Sequence, residues 1–217
     1  MRGVFVTGTG TEVGKTVVAA AIARTIAAGG GRVAVFKPAM TGLDEPGERD
    51  SELLRRAAGS PQDEDEIAPY RYGPPVSPHL GAELAGERID PARLRDLAHA
   101  AGEQADFLVC EGVGGFLVPL TLGYLVRDLA RDLGLPLVIV ATPKLGTINH
   151  TLLTIEAARA VGLEPRLVVL TPWPDEPSPI ERSNREAIAR LAGVRVEPLA
   201  RLDLDTPAAW PPLPLGD

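Results

Sequence analysis

With 217 residues, 45% apolar and 24% charged, the chain is globular and long enough for one substantial core. A net charge of −7 argues against nonspecific binding to nucleic acid or to an anionic membrane surface, yet is compatible with positive charge gathered in one phosphate pocket. The lone Cys110 excludes an intramolecular disulfide and a cysteine-rich metal site. The sequence opens directly on an apolar strand pattern with no leader-like segment, and no apolar run approaches membrane-spanning length, so a reducing, cytoplasmic setting is expected.

In chain order, residues 2–7 read as a short apolar strand, 8–16 (GTGTEVGKT) as a glycine- and threonine-rich turn, and 17–28 as an alanine-rich helix. Such a turn aims backbone N–H groups at one point, opens a helix at its positive end and sets Lys15 and Thr16 beside the bound anion. The expected anion is a nucleotide polyphosphate, with Lys15 on its terminal phosphates and the Thr16 hydroxyl on Mg²⁺. The strict P-loop spacing calls for glycine where Thr9 stands; here the leading glycine is Gly8, one residue earlier.

After Gly29 to Gly31, residues 32–37 read as a buried strand stopped by Pro38, 41–49 as a loop, and 50–58 as a helix opening on an acid. Residues 62–86, with acids at 63–66 and four prolines, are the least regular. They are expected to form an ordered excursion over the site or at a subunit contact, with the acids a solvated run and not a metal site. Asp90-Pro91 starts a helix to about Gln104, and 106–110 is a strand that delivers Glu111 and then Gly112, Val113, Gly114 and Gly115. A helix over 124–133, a strand over 135–141, a helix over 147–161, a strand over 165–171, a helix over 178–191 and a possible strand over 194–198 follow, before a proline-rich tail. Alternating strands and helices predict an α/β fold in which residues 1–217 form a single P-loop domain, with a mostly parallel sheet flanked by helices on both faces.

In such sheets ligands sit at the carboxyl ends of the strands, which puts Glu111 and Lys37 beside the P-loop. Thr16, Asp50 and Glu111 are hard-oxygen candidates for Mg²⁺, although Asp50 reads equally well as a helix cap. Lys37 reads either as a second cation for a transferring phosphoryl group or as a snorkelling lysine at a strand end. Thr11 and Thr41 can donate to the same anions or be ordinary turn threonines. Phosphoryl transfer needs positioning and charge neutralisation more than covalent help, so lysines, threonines, amides and Mg²⁺ suffice. Cys110 reads as packing and the three histidines as too scattered for a metal site. Trp173 either lines a base pocket or covers the core.

Together, GTGTEVGKT at 8–16, FKPAMTG at 36–42, Asp50, SPH at 77–79, CEGVGG at 110–115 and KLGTINH at 144–150 resemble the dethiobiotin synthetases. The resemblance implies a homodimeric, ATP- and Mg²⁺-dependent ligase that closes a cyclic urea on diaminopelargonic acid with CO₂, through a carbamate and a carbamic-phosphoric anhydride. It implies that Glu12, Val13, Gly14, Lys15, Thr16 and Val17 wrap the phosphates, with Glu111, Gly112, Val113, Gly114, Thr171 and Pro172 also at the nucleotide. It places Mg²⁺ on Thr16, Asp50 and Glu111, and catalysis on Lys37, Lys15 and Thr11. Lys37 and Thr41 would meet the substrate, and Gly146, Thr147, Ile148 and Asn149 of one subunit would receive its carboxylate at the interface. Many members carry Asn-Asp where this chain has Thr171-Pro172, so other nucleoside triphosphates are expected to serve besides ATP. Two other classes compete. An amidotransferase synthetase would need a glutaminase domain with a cysteine nucleophile, which nothing after Leu170 supplies. A partitioning-type nucleotide switch would carry a lysine where Gly10 stands.

Overall fold

The computed structural model describes residues 1–216 and builds them around six parallel strands. In chain order the elements are β1 (Gly3–Gly8), α1 (Lys15–Ala28), β2 (Val33–Phe36), α2 (Asp50–Ala58), α3 (Glu64–Ile67), α4 (Pro78–Leu84), α5 (Pro91–Glu103) and β3 (Phe107–Glu111). There follow β4 (Pro119–Thr121), β5 (Tyr124–Leu125), α6 (Val126–Leu133), β6 (Leu137–Ala141), α7 (Thr147–Arg159), β7 (Pro165–Trp173), α8 (Pro179–Ala192) and β8 (Val196–Ala200). The sheet runs β2-β3-β1-β6-β7-β8, and β4 and β5 form a separate antiparallel hairpin. From β1 the chain goes to β2 and β3 on one side, then crosses to β6, β7 and β8 on the other. The loop after β1 therefore opens over the point where the two halves diverge, where an open parallel sheet leaves its crevice.

Both faces of the sheet are covered. One apolar layer joins Phe5, Phe36 and Leu108 to Leu94 of α5, Leu129 of α6, Ile155 of α7 and Ile188 of α8. The other joins Val4, Val6 and Val109 to α1 and to Leu53 and Leu54 of α2. Helix α1 is buried without a break from Val18 to Ala23, which explains its run of alanines: a helix enclosed on several sides has no polar face. Part of that enclosure is the proline-rich tail, where Leu213 is buried and its N–H donates to Thr25 Oγ1 at 2.8 Å.

The structure sharpens the sequence reading in several places. Helix α1 starts at Lys15, two residues earlier than expected, because the turn itself winds into the helix. The expected helix over 124–133 gives up its start to the hairpin, where Tyr124 pairs with Thr121. Within the irregular 62–86 stretch lie α3 and α4. Residues 67–74 run beside the loop after β2, with Lys37 N–H donating to Ile67 O, Met40 N–H to Tyr70 O and Gly42 N–H to Pro74 O. The excursion thus braces the loop that carries Thr41. At the outer edge of β2 the Gln62 side chain takes the place of a neighbouring strand, accepting from Val35 N–H at 2.8 Å and donating to Val35 O at 3.1 Å. No helix among the described residues is long and apolar enough to cross a membrane.

Phe5, on the central strand, is fully buried and packs in the first layer. Phe5→Ala should lower stability by about 3–5 kcal/mol in urea unfolding, the range for an aromatic deleted from a core.

Candidate active site

The turn after β1 takes its shape from two backbone specials. Glu12 (φ 57) and Gly14 (φ 92) lie in the left-handed region two residues apart, which turns successive amides toward a common centre. A Cβ on Gly14 would come within 2.8 Å of the Thr171 side chain, so Gly is required there both by conformation and by space. The displaced leading glycine has a physical reason as well. A Cβ on Gly8 would meet the Val13 side chain at 2.7 Å and that of Lys15 at 3.0 Å. Lys15 Nζ donates to Gly10 O at 2.9 Å, folded back on its own turn.

Lys37 and Glu111 meet because β2 and β3 are in parallel register, Phe36 opposite Cys110, which leaves the next residue of each strand side by side. Lys37 Nζ lies 2.6 Å from Glu111 Oε1 and 2.7 Å from Asp50 Oδ2. Thr16 Oγ1 donates to the same Glu111 oxygen at 2.9 Å. Lys37 is 4% exposed and Glu111 wholly buried, so Lys37 does not snorkel. Asp50 is the first residue of α2, and the preceding position holds Arg49. Its carboxylate is spent on Lys37 and not on a helix cap.

Burial works against the charge on Lys37, but Glu111 and Asp50 outweigh it and hold its pKa above the ordinary lysine value. Burial pushes the Glu111 carboxyl up, with Lys37 opposing. Burial also raises Asp50, but Lys37 and the Thr16 hydroxyl overcome this and leave it below its usual range. Lys15 is lowered by burial, with Glu111 partly compensating.

These groups share a cleft of about 460 Å³ whose lining includes Thr11, Glu12, Gly14, Lys15, Thr16, Val17, Lys37, Thr41, Asp50, Glu111, Val113 and Gly114. Of the other candidates, Val13 packs inward in the second apolar layer, and Gly112 lies behind the wall, crowded by Val126 and Phe5. Thr171 is buried against Gly14, while Pro172 and Trp173 line a neighbouring cleft with Arg201, Leu202 and Asp203. Gly146, Thr147, Ile148 and Asn149 form the start of α7 and do not line the cleft. Sequence reasoning missed Glu48, Arg49 and Leu204 in the lining. The first two sit in a loop with no periodic signal, and Leu204 in a tail that has none.

The oxygens of Thr16, Asp50 and Glu111 suit a hard divalent cation. Glu111 Oε2 is buried without a partner, an acceptor left over for such an ion. The cleft therefore joins a turn shaped as a phosphate cradle would be, two lysines and a set of side-chain oxygens that suits a divalent cation. Fold and site define a P-loop NTPase-like α/β protein.

Residues 2–209 match the AAA domain family. The chain is 44% identical to an ATP-dependent dethiobiotin synthetase of Anaeromyxobacter dehalogenans, over 93% of this chain and 90% of that protein. It is 36% identical to the one of Bacillus subtilis, over 90% and 85%. Among solved structures the kinase domain of an Escherichia coli tyrosine kinase superposes with a TM-score of 0.50 at 19% identity, covering 78% of this chain and 66% of that one, a likeness of fold alone. The chain belongs to the dethiobiotin synthetase family.

Because burial lowers Lys15 and a bound anion would raise it again, binding of a polyphosphate should take up protons in growing number as pH rises from neutrality toward the ordinary lysine pKa. Calorimetry with inorganic triphosphate in two buffers of different ionisation enthalpy measures this. Lys15→Arg, which stays charged throughout, should abolish the uptake.

Proposed function

We propose that this protein is an ATP-dependent dethiobiotin synthetase that carboxylates diaminopelargonic acid with CO₂ and closes the cyclic urea in the cytoplasm, residues 1–217 acting as one domain, with the last residue outside those described. The observation that carries the reading is the buried Lys37, held between Glu111 and Asp50 at the mouth of the phosphate-binding turn. It is supported by family membership and by relatives that bear that name.

In this reading one amine of the substrate takes up CO₂ as a carbamate. A carbamate oxygen attacks the γ-phosphorus, the bond to the β-phosphate oxygen breaks and ADP leaves. The second amine then attacks the carbamoyl carbon, phosphate departs, and the ring closes. The amides of residues 12–17 and Lys15 hold the phosphates, and Thr11 donates from the facing edge of the turn. Thr16, Asp50 and Glu111 would hold Mg²⁺, which supplies charge neutralisation on the transferring phosphoryl group. Lys37, kept protonated by its two carboxylates, offers a fixed positive charge to the carbamate and γ-phosphate, and Thr41 a hydroxyl to the substrate.

The start of α7 takes the substrate carboxylate of a partner's site in a homodimer. In support, the helix start leaves the amides of Ile148 and Asn149 without intrahelical acceptors, and Leu117, Leu145 and Leu153 lie exposed nearby. Base selection is loose, since Thr171-Pro172 offers no side-chain amide and Pro172 no N–H to read an adenine edge.

Phosphate release by the purified protein with Mg²⁺ and ATP should require both diaminopelargonic acid and bicarbonate. Release indifferent to the diamine would sink the synthetase reading. CTP and GTP should support turnover within about tenfold of ATP, because discrimination of many powers of ten needs a dedicated hydrogen-bonding site; a strict ATP requirement would contradict loose base selection. Lys37→Ala should lose most turnover and also destabilise the fold by about 3–5 kcal/mol, because it strands the buried Glu111. Turnover near normal in that variant removes Lys37 from the mechanism.

A further inference from the structure

The last sixteen described residues form no strand and only one short turn of helix at Pro207–Ala209, yet side chains from the body of the protein grip their backbone. Arg195 donates to Pro214 O at 2.7 Å, Arg166 to Leu215 O at 3.0 Å, and Thr25 accepts from Leu213 N–H. Within the segment itself, Trp210 Nε1 donates to Asp203 O at 2.7 Å. In a proline-rich stretch that cannot pair its carbonyls through secondary structure, side-chain donors take over that task.

The grip nearest the site differs from the others. Arg56, in the last turn of α2, uses one nitrogen, Nη2, to reach Glu48 at 2.8 Å and Leu204 O at 2.7 Å. Glu48 and Leu204 both line the phosphate cleft, and the residues just before Leu204, from Arg201 to Asp203, line the adjoining cleft beside Pro172 and Trp173. A single guanidinium on the helix that begins with Asp50 therefore ties the Glu48 loop to the tail at one place on the cleft lining.

We propose that Arg56 is a positioning residue for nucleotide binding, a latch that holds the 201–206 strap and the Glu48 loop as walls of one continuous nucleotide site. The proposal rests on the cleft being the nucleotide site. The pair is part-exposed, so its worth lies in geometry more than in stability, and its removal should leave the melting temperature nearly unchanged. Arg56→Met keeps the bulk of the stem and removes the donors. Arg56→Lys keeps a nitrogen with three donors, enough for both acceptors, since one nitrogen of Arg56 serves both.

The test is hydrogen exchange by mass spectrometry on the full chain, paired with calorimetric titration of MgATP. In the parent protein MgATP should slow exchange in residues 201–206 as well as in 8–16. In Arg56→Met, exchange of 201–206 should quicken without nucleotide while the sheet stays protected, and MgATP affinity should fall about tenfold, the scale of one charge-assisted hydrogen bond. Arg56→Lys should restore both. Tail exchange unchanged in Arg56→Met, or affinity lost with the tail still protected, overturns the latch. MgATP that protects 8–16 but not 201–206 in the parent also overturns it. Because binding is read without the diamine, failure of the synthetase reading would show separately, in the turnover assay.

Discussion

The contact between Lys37 and Glu111 is the constraint on which the rest of the site depends. A carboxylate taken wholly out of water is tolerated only with a partner at hydrogen-bond distance, and removing one member of such a pair leaves a bare charge in the interior. The pair in turn fixes its surroundings. It needs β2 and β3 in one register, α2 starting where Asp50 can reach the same ammonium, and α1 starting where Thr16 can reach the same carboxylate. Four elements are thereby aimed at one point, and on the proposed reading this leaves little reorganisation for phosphoryl transfer.

Much of this was legible in the chain. Alternating apolar runs and helical stretches give the parallel sheet, and the bounds of α2 agree with expectation because an acid opens it and Gly59 closes it in the left-handed region. What local pattern could not decide was the job of each polar residue. An aspartate at the start of a helix looks the same whether it caps the helix or pairs with a lysine, and only the neighbouring strand end, thirteen residues back in the chain, settles that Asp50 does the second. The β4-β5 hairpin escaped for another reason. Strands of three and two residues are too short to display a period, and Tyr124, which reads as a helix start, spends its backbone on Thr121 and its hydroxyl on Asp132.

The tail was opaque for a related reason. Its backbone is held by arginines and a threonine scattered over α1, α2, β7 and the approach to β8, so no feature within the segment reveals where it lies. The converse signal was present but indirect: a first helix with alanines on all sides must be covered from more directions than a sheet alone provides.

The amide of Gln62 on the outer edge of β2 bears on how copies of this chain can meet. An open edge strand invites another strand to dock and extend the sheet, in orderly dimers or in aggregates. Here Val35, midway along that edge, has both backbone groups engaged by a side chain. Continuation of the sheet through β2 would first have to expel that amide and strand its own hydrogen-bonding groups. Association between copies is thereby steered away from this border and toward side-chain packing on other surfaces, where the sheet is left intact.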